Sequence, residues 1–271
     1  MILRDITHVE AEISSVCNLK CPLCFRNNGA VQFRQKFIDT DKFFGLLDQM
    51  PNLKYICFAG QLGEPTLHPD FLKIVKRLKD RYELEFFINA ETHNDTFYSV
   101  LGQLVPDSFI NLTIAGSTQE LHEKYRVKSN LQTVLRRWKI LAKSNNKVVL
   151  NWLLFKYNIG DYQKNKGLFK HKPVVTIPFQ EFLDLNISDD FKHPFGFSMD
   201  LIDTSDKGVC DRTHAVISSD AEVFSCCCER WFDKDLCWQC SEKNIRTFLD
   251  NKVHNLPEHG IDLVKNKELY E

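Results

Sequence analysis

Apolar and polar residues alternate over "HVEAEIS" (8–14), and this period of two predicts a first strand. "TDKFFGLLDQM" (40–50) spaces its apolar residues as a helix does, with Thr40 as the candidate N-cap. A second strand is expected at 53–60, a helix at 68–80 with Pro69 near its first turn, a third strand at 83–90 and a helix at 95–104. A fourth strand (108–116), a helix (130–144), a fifth strand (147–158) and a sixth (173–179) follow. Strand and helix thus alternate about six times in the first 180 residues, which implies right-handed βαβ units and a parallel sheet. Six units are too few to close an eight-fold barrel. The expected fold class is therefore α/β, a partial (βα)6 TIM-like barrel over 1–180, with a small C-terminal hairpin-containing region at 210–271. Residues 181–209 read as an irregular linker.

Composition narrows the picture. The chain has 271 residues, of which 43% are hydrophobic, enough for a sizeable core. Its 35 basic and 36 acidic residues give a net charge of −1, so neither nucleic acid nor an anionic membrane is expected as a partner. No run approaches 18 apolar residues, and "MILRDITHVE" has no apolar signal core. The expected location is the cytoplasm.

There are ten cysteines, and nine fall in two tight groups. The lone Cys57, in the apolar run "YICFAG", reads as a buried core thiol. Cys17, Cys21 and Cys24 form C-x3-C-x2-C directly after the first strand, where barrel enzymes gather their active residues. Three thiolates can hold three corners of a cubane and leave one iron open to a ligand. By spacing alone, a zinc ion completed by a distant residue is the alternative.

This motif resembles the signature of the radical S-adenosylmethionine (SAM) superfamily. The resemblance implies a [4Fe–4S] cluster on Cys17, Cys21 and Cys24, with SAM on the fourth iron. One electron then yields methionine and a 5′-deoxyadenosyl radical, which abstracts hydrogen from the substrate. "FAGQLGEPTLHPDF" (58–71) is similar to the family's glycine-rich turn ending Gly-Glu-Pro, through Gly60, Gly63, Glu64 and Pro65, with Leu62 in place of the usual first glycine. In the family this turn contacts the SAM ammonium. "INAETH" keeps only Asn89 of a common Thr-Asn-Gly strand end. "LTIAGSTQELHEKYR" keeps Thr113, Gly116, His122, Tyr125 and Arg126 of the fourth-strand run, with Ala115 where Asp is usual. Leu23 takes a position often aromatic and near adenine, and Asn158 matches a residue near the ribose.

The second group resembles the auxiliary-cluster appendages, twitch or SPASM, that follow many such barrels. A hairpin turning at "SSDAE" precedes Cys226-Cys227-Cys228, and Cys237 and Cys240 follow. The resemblance implies a second [4Fe–4S] cluster on Cys210, Cys226, Cys237 and Cys240, with Cys228 as the alternative to Cys226. A structural zinc site suits the same thiolates.

The function implied is radical SAM chemistry on an unidentified substrate, either a small alcohol or sugar-like molecule or a peptide. The electron donor expected is of the flavodoxin or ferredoxin kind. His68, His93 and Glu91 are candidate bases at strand ends. The competing expectation is a non-catalytic iron–sulfur or zinc scaffold that senses redox state.

Overall fold

Phe58 and Phe86 stack at 5.2 Å between ring centres, and Phe71 meets both edge-on at about 6 Å. These rings mark the seam between a sheet and its helices in a computed structural model. It describes residues 3–24, 26–27, 34–59, 62–145, 147–169, 172–175, 188–192 and 214–224. The strands are β1 (His8–Ala11), β2 (Tyr55–Phe58), β3 (Glu83–Ile88), β4 (Phe109–Ile114), β5 (Val148–Leu154) and β6 (Lys172–Val175). Helices α1 (Thr40–Leu47), α2 (Phe71–Leu78), α3 (Asp95–Leu104), α4 (Gln119–Tyr125), α5 (Leu131–Leu141) and α6 (Ile159–Phe169) lie between them. The six strands pair in parallel in sequence order, as βα alternation requires. The α/β partial-barrel expectation holds.

Two further strands, β7 (His214–Ile217) and β8 (Val223–Phe224), form a hairpin. Its first strand pairs in parallel with β1, so among the described residues the sheet has eight strands in the order β6-β5-β4-β3-β2-β1-β7-β8. The hairpin read at "SSDAE" is present, and it extends the barrel sheet itself.

Period-two burial gives the sheet two unlike faces. Val9, Ile56, Phe58, Leu84, Phe86, Ile110 and Leu112 are buried toward the helices. The other face carries Glu10, Tyr55, Cys57, Glu85, Asn111 and Asn151. A polar ladder crosses it: Tyr55 donates to Glu85, Asn111 donates to the other Glu85 oxygen at 2.8 Å, and Asn151 donates to Asn111 at 3.0 Å. Cys57 is half-buried on this polar face, in register with Glu10 and Glu85, and is not a core thiol. Burial, then Glu85 and Glu10, push its pKa far up.

Local chemistry sets the element ends. Asp39, not Thr40, caps α1 by accepting from the Lys42 amide, while Thr40 donates to Asp70 at 2.9 Å. Strand β5 stops at Leu154 because the Asn158 side chain accepts from Phe155 N at 2.8 Å and donates to Leu153 O at 2.8 Å. That bonding turns the chain before 158, the end expected from the apolar run.

Candidate active site

The loop after β1 lies on the β2 loop by backbone contact. Glu64 N donates to Val16 O at 2.8 Å, and a Cβ on Gly63 would stand 1.8 Å from the Ser14 carbonyl oxygen. Only glycine permits this approach, so Gly63 fixes the start of the cysteine loop. Arg26 donates to Cys17 O at 3.2 Å and Leu19 O at 2.6 Å, and Cys24 N donates to Cys21 O at 3.1 Å. Lys20 N bonds Val127 O at 3.1 Å, which ties the loop to the segment carrying Arg126.

Cys17, Cys21 and Cys24 are free, half-buried thiols on the wall of one cavity of about 410 Å³. Among the described residues, no three His, Cys, Asp or Glu side chains are grouped closely enough to hold a metal ion. Leu23, Gly63, Glu64, Asn89, Thr113, Tyr125 and Arg126 share the wall. Burial pushes the Cys17 and Cys21 thiols up; Leu19 N–H and the two arginines oppose it at Cys17, Arg126 and then Arg26 at Cys21. Burial works against the Arg126 charge as well, but Cys21, Cys17, Tyr125 and Glu91 outweigh it and raise its pKa.

Glu64 is buried, with one oxygen accepting from the Thr66 hydroxyl at 2.5 Å and amide at 3.3 Å, and the other from Asn89 N at 2.8 Å. Burial lifts its pKa to about 7, against these hydrogen bonds and Arg126. Asn89 donates to Asn18 at 2.6 Å and faces Cys17 Sγ at 3.8 Å. Pro65 is buried behind the wall, at the start of a 3-10 turn that Glu64 caps.

The sequence model described as the radical SAM superfamily matches residues 11–164. The chain belongs to that superfamily. It is 36% identical over 100 residues to the tungsten-containing aldehyde ferredoxin oxidoreductase cofactor-modifying protein of Pyrococcus furiosus, covering 35% of this chain and 27% of the relative. It is 24% identical over 196 residues to GTP 3′,8-cyclase of Haemophilus ducreyi, covering 69% and 56%. The chain thus spans about a quarter to a half of these relatives' lengths. The AdoMet-bound structure of anSMEcpe superposes with a TM-score of 0.57 at 17% identity, over 81% of this chain and 74% of that one. Streptococcus suis SuiB bound to precursor peptide SuiA gives 0.53 at 16%, over 82% and 59%. At these identities the likeness is one of fold.

Membership of the radical SAM superfamily implies a [4Fe–4S] cluster and SAM, and the residues present fit them. Three free thiols share a cavity of small-molecule size, and two arginines of its lining, Arg26 and Arg126, each carry a buried Nε–H without a partner.

Several expected residues lie elsewhere. Asn158 is fully buried, with its amide on Ala115 O, Leu153 O and Phe155 N, and it does not line the cavity; it shapes strand ends. His68 is held by Ile38 O and Asp70 N, and His93 by Thr66 O. Glu91 clips Ser129 and Asn130, so none of the three candidate bases faces the cavity. Gly60 and the second group, Cys210, Cys226, Cys227, Cys228, Cys237 and Cys240, lie outside the described residues. Sequence reasoning missed Arg26, Asn18 and Phe87. Arg26 and Phe87 line the cavity, and only Phe87's inward register in β3 was a readable signal.

Among the described residues, no helix is long and apolar enough to cross a membrane.

Proposed function

We propose that the protein is an enzyme that cleaves SAM reductively and abstracts hydrogen from a polar substrate. The observation that carries this is the meeting of three free thiols with the Gly63–Glu64 turn on one cavity. When bound, the cluster supplies one electron to SAM, which splits into methionine and a 5′-deoxyadenosyl radical. Cys17, Cys21 and Cys24 hold the cluster. Gly63 lets the β2 loop close on the cysteine loop. Glu64, half-ionised near pH 7 in the free site, becomes fully ionised beside a cationic ligand. Arg126 supplies a guanidinium for a carboxylate, Thr113 a hydroxyl, Asn89 an amide, and Leu23 an apolar surface. By resemblance, Gly60 and Pro65 belong to the same Gly-Glu-Pro turn.

A second [4Fe–4S] cluster on Cys210, Cys226 or Cys228, Cys237 and Cys240 belongs to the same reading. Its support is the hairpin that leads into those cysteines. The polar face of Tyr55, Glu85, Asn111 and Asn151 favours a substrate rich in hydroxyl or amine groups, whether a small molecule or a peptide. The electron comes from a flavodoxin or ferredoxin in the cytoplasm, where thiols stay reduced.

Anaerobic purification followed by iron and sulfide assay, then SAM with dithionite, tests the reading. About eight irons per chain, as two cubanes require, and release of 5′-deoxyadenosine are expected. Cys24→Ala should abolish that release, and Cys240→Ala should leave the first cluster able to bind SAM. Zinc in place of iron would overturn the assignment in favour of a scaffold.

A further inference from the structure

Arg26 stands two residues beyond Cys24, half-buried on the cavity wall beside all three thiols. Two of its nitrogens are engaged by the cysteine loop: Nη1 donates to Cys17 O at 3.2 Å and Nη2 to Leu19 O at 2.6 Å. The fork therefore reaches back across the loop and fixes the arc that begins at Cys17. Its third nitrogen, Nε, is buried and has no acceptor. A charged N–H shut away from water is costly unless a partner occupies the space it faces. Arg26 lines the same cavity as the three thiols.

We propose that Arg26 is a positioning residue of the iron–sulfur centre: it locks the Cys17–Leu19 arc with two nitrogens and holds its positive charge on the wall that the three thiols share, raising the cluster's reduction potential. This rests on the reading of the cavity as an iron–sulfur site. Reduction adds one negative charge to the cluster, and a fixed cation in a poorly solvated wall stabilises the reduced form more than the oxidised one. Lysine carries the charge but not the planar fork, so it replaces only part of the effect.

The test uses the full chain, reconstituted anaerobically, as wild type, Arg26→Gln and Arg26→Lys. Iron and sulfide are assayed, and the midpoint potential is read by EPR-monitored titration of the cluster whose signal changes on adding SAM. Arg26→Gln should keep its iron and shift the reduction equilibrium about tenfold toward the oxidised form, about 59 mV lower for one electron. Arg26→Lys should fall between Gln and wild type. An unchanged midpoint in iron-loaded Arg26→Gln overturns the proposal. If that variant cannot hold iron, a wild-type midpoint in Arg26→Lys overturns it equally. A wild-type chain that takes up no iron sinks the site assignment as well, and the iron assay alone identifies that case.

Discussion

His122 is enclosed on every side, and its two nitrogens are assigned by their neighbours. Nδ1 accepts from Ala115 N at 3.2 Å, so the proton sits on Nε2, which faces Ser129 Oγ at 2.6 Å. Ser129 passes its own proton toward Glu91, whose other oxygen takes the Asn130 amide at 2.5 Å. The chain of bonds holds the loop after Arg126 and keeps the imidazole neutral. Burial, then the Arg126 charge, lowers its pKa to about 3. The unfolded state therefore takes up the proton first on acidification. The stability this residue contributes is complete above about pH 6.5 and is lost as pH falls toward 3, at about 1.4 kcal/mol per unit. Glu64 works in the opposite sense: its raised pKa makes its contribution greatest in acid and removes it as pH rises from about 4.5 to about 7. A variant difference isolates the histidine. Urea unfolding of the apoprotein at pH 7 and pH 5 should show His122→Gln sparing about 2 kcal/mol of the acid loss seen in wild type; parallel losses would refute the buried neutral imidazole. At this scale the sequence was legible where spacing carries chemistry, as for Cys17, Cys21, Cys24, Gly63 and Glu64. It was silent on Arg26, whose role depends on carbonyls seven and nine residues earlier in the chain.

Asn158 shows how one side chain shapes an element. Its amide donates to Ala115 O and Leu153 O, and its oxygen accepts from Phe155 N, so it closes β5 and ties it to the end of β4. Asn158→Ala leaves a buried N–H and a buried carbonyl unpaired, and should cost about 3 kcal/mol in urea unfolding, from losses of 1–3 kcal/mol each. SAM affinity of the folded protein should change little; a large loss of affinity at unchanged stability would restore the ribose-contact expectation. Helix α3 has the bounds expected from the sequence, and in the structure Asn94 caps it by accepting from Phe97 N. Helix α4 was not read: it has seven residues, too few for apolar periodicity to stand out. Expected strand ends run long where an apolar run continues into a loop that lines the cavity, as at Ala59 just past β2. Near Asn89 the chain takes a left-handed residue, Ala90 at φ 60°, where the family commonly has glycine. The motif marked the position although the residue departed from it.

For the whole molecule, the boundary drawn at residue 210 separates segments that the sheet joins. β7 covers the edge of β1 from His8 to Ala11, and Glu12 N continues the pairing to Ile217 O at 2.8 Å. The Glu12 carboxylate, almost fully buried, accepts from Leu62 N at 3.1 Å and meets Ser219 Oγ at 3.4 Å, so one side chain spans the β1 end, the β2 loop and the hairpin turn. Asp220 in the same turn pairs with Lys36, just past the segment that follows the cysteine loop. Periodicity cannot reveal such a contact, because it reports which face of a strand is buried and not which strand lies beside it. A chain ending at residue 209 would expose the β1 edge as a template for other chains and leave Glu12 without its hairpin partner. Such a truncation should aggregate or lose its cooperative melt by circular dichroism and size-exclusion chromatography. If it stays monomeric with the melting temperature of the full chain, the hairpin is an appendage to a self-sufficient barrel. If it fails as expected, the loop bearing Cys17 is held from both sides: by β2 through Gly63 and Glu64, and by the returning C-terminal strands through Glu12.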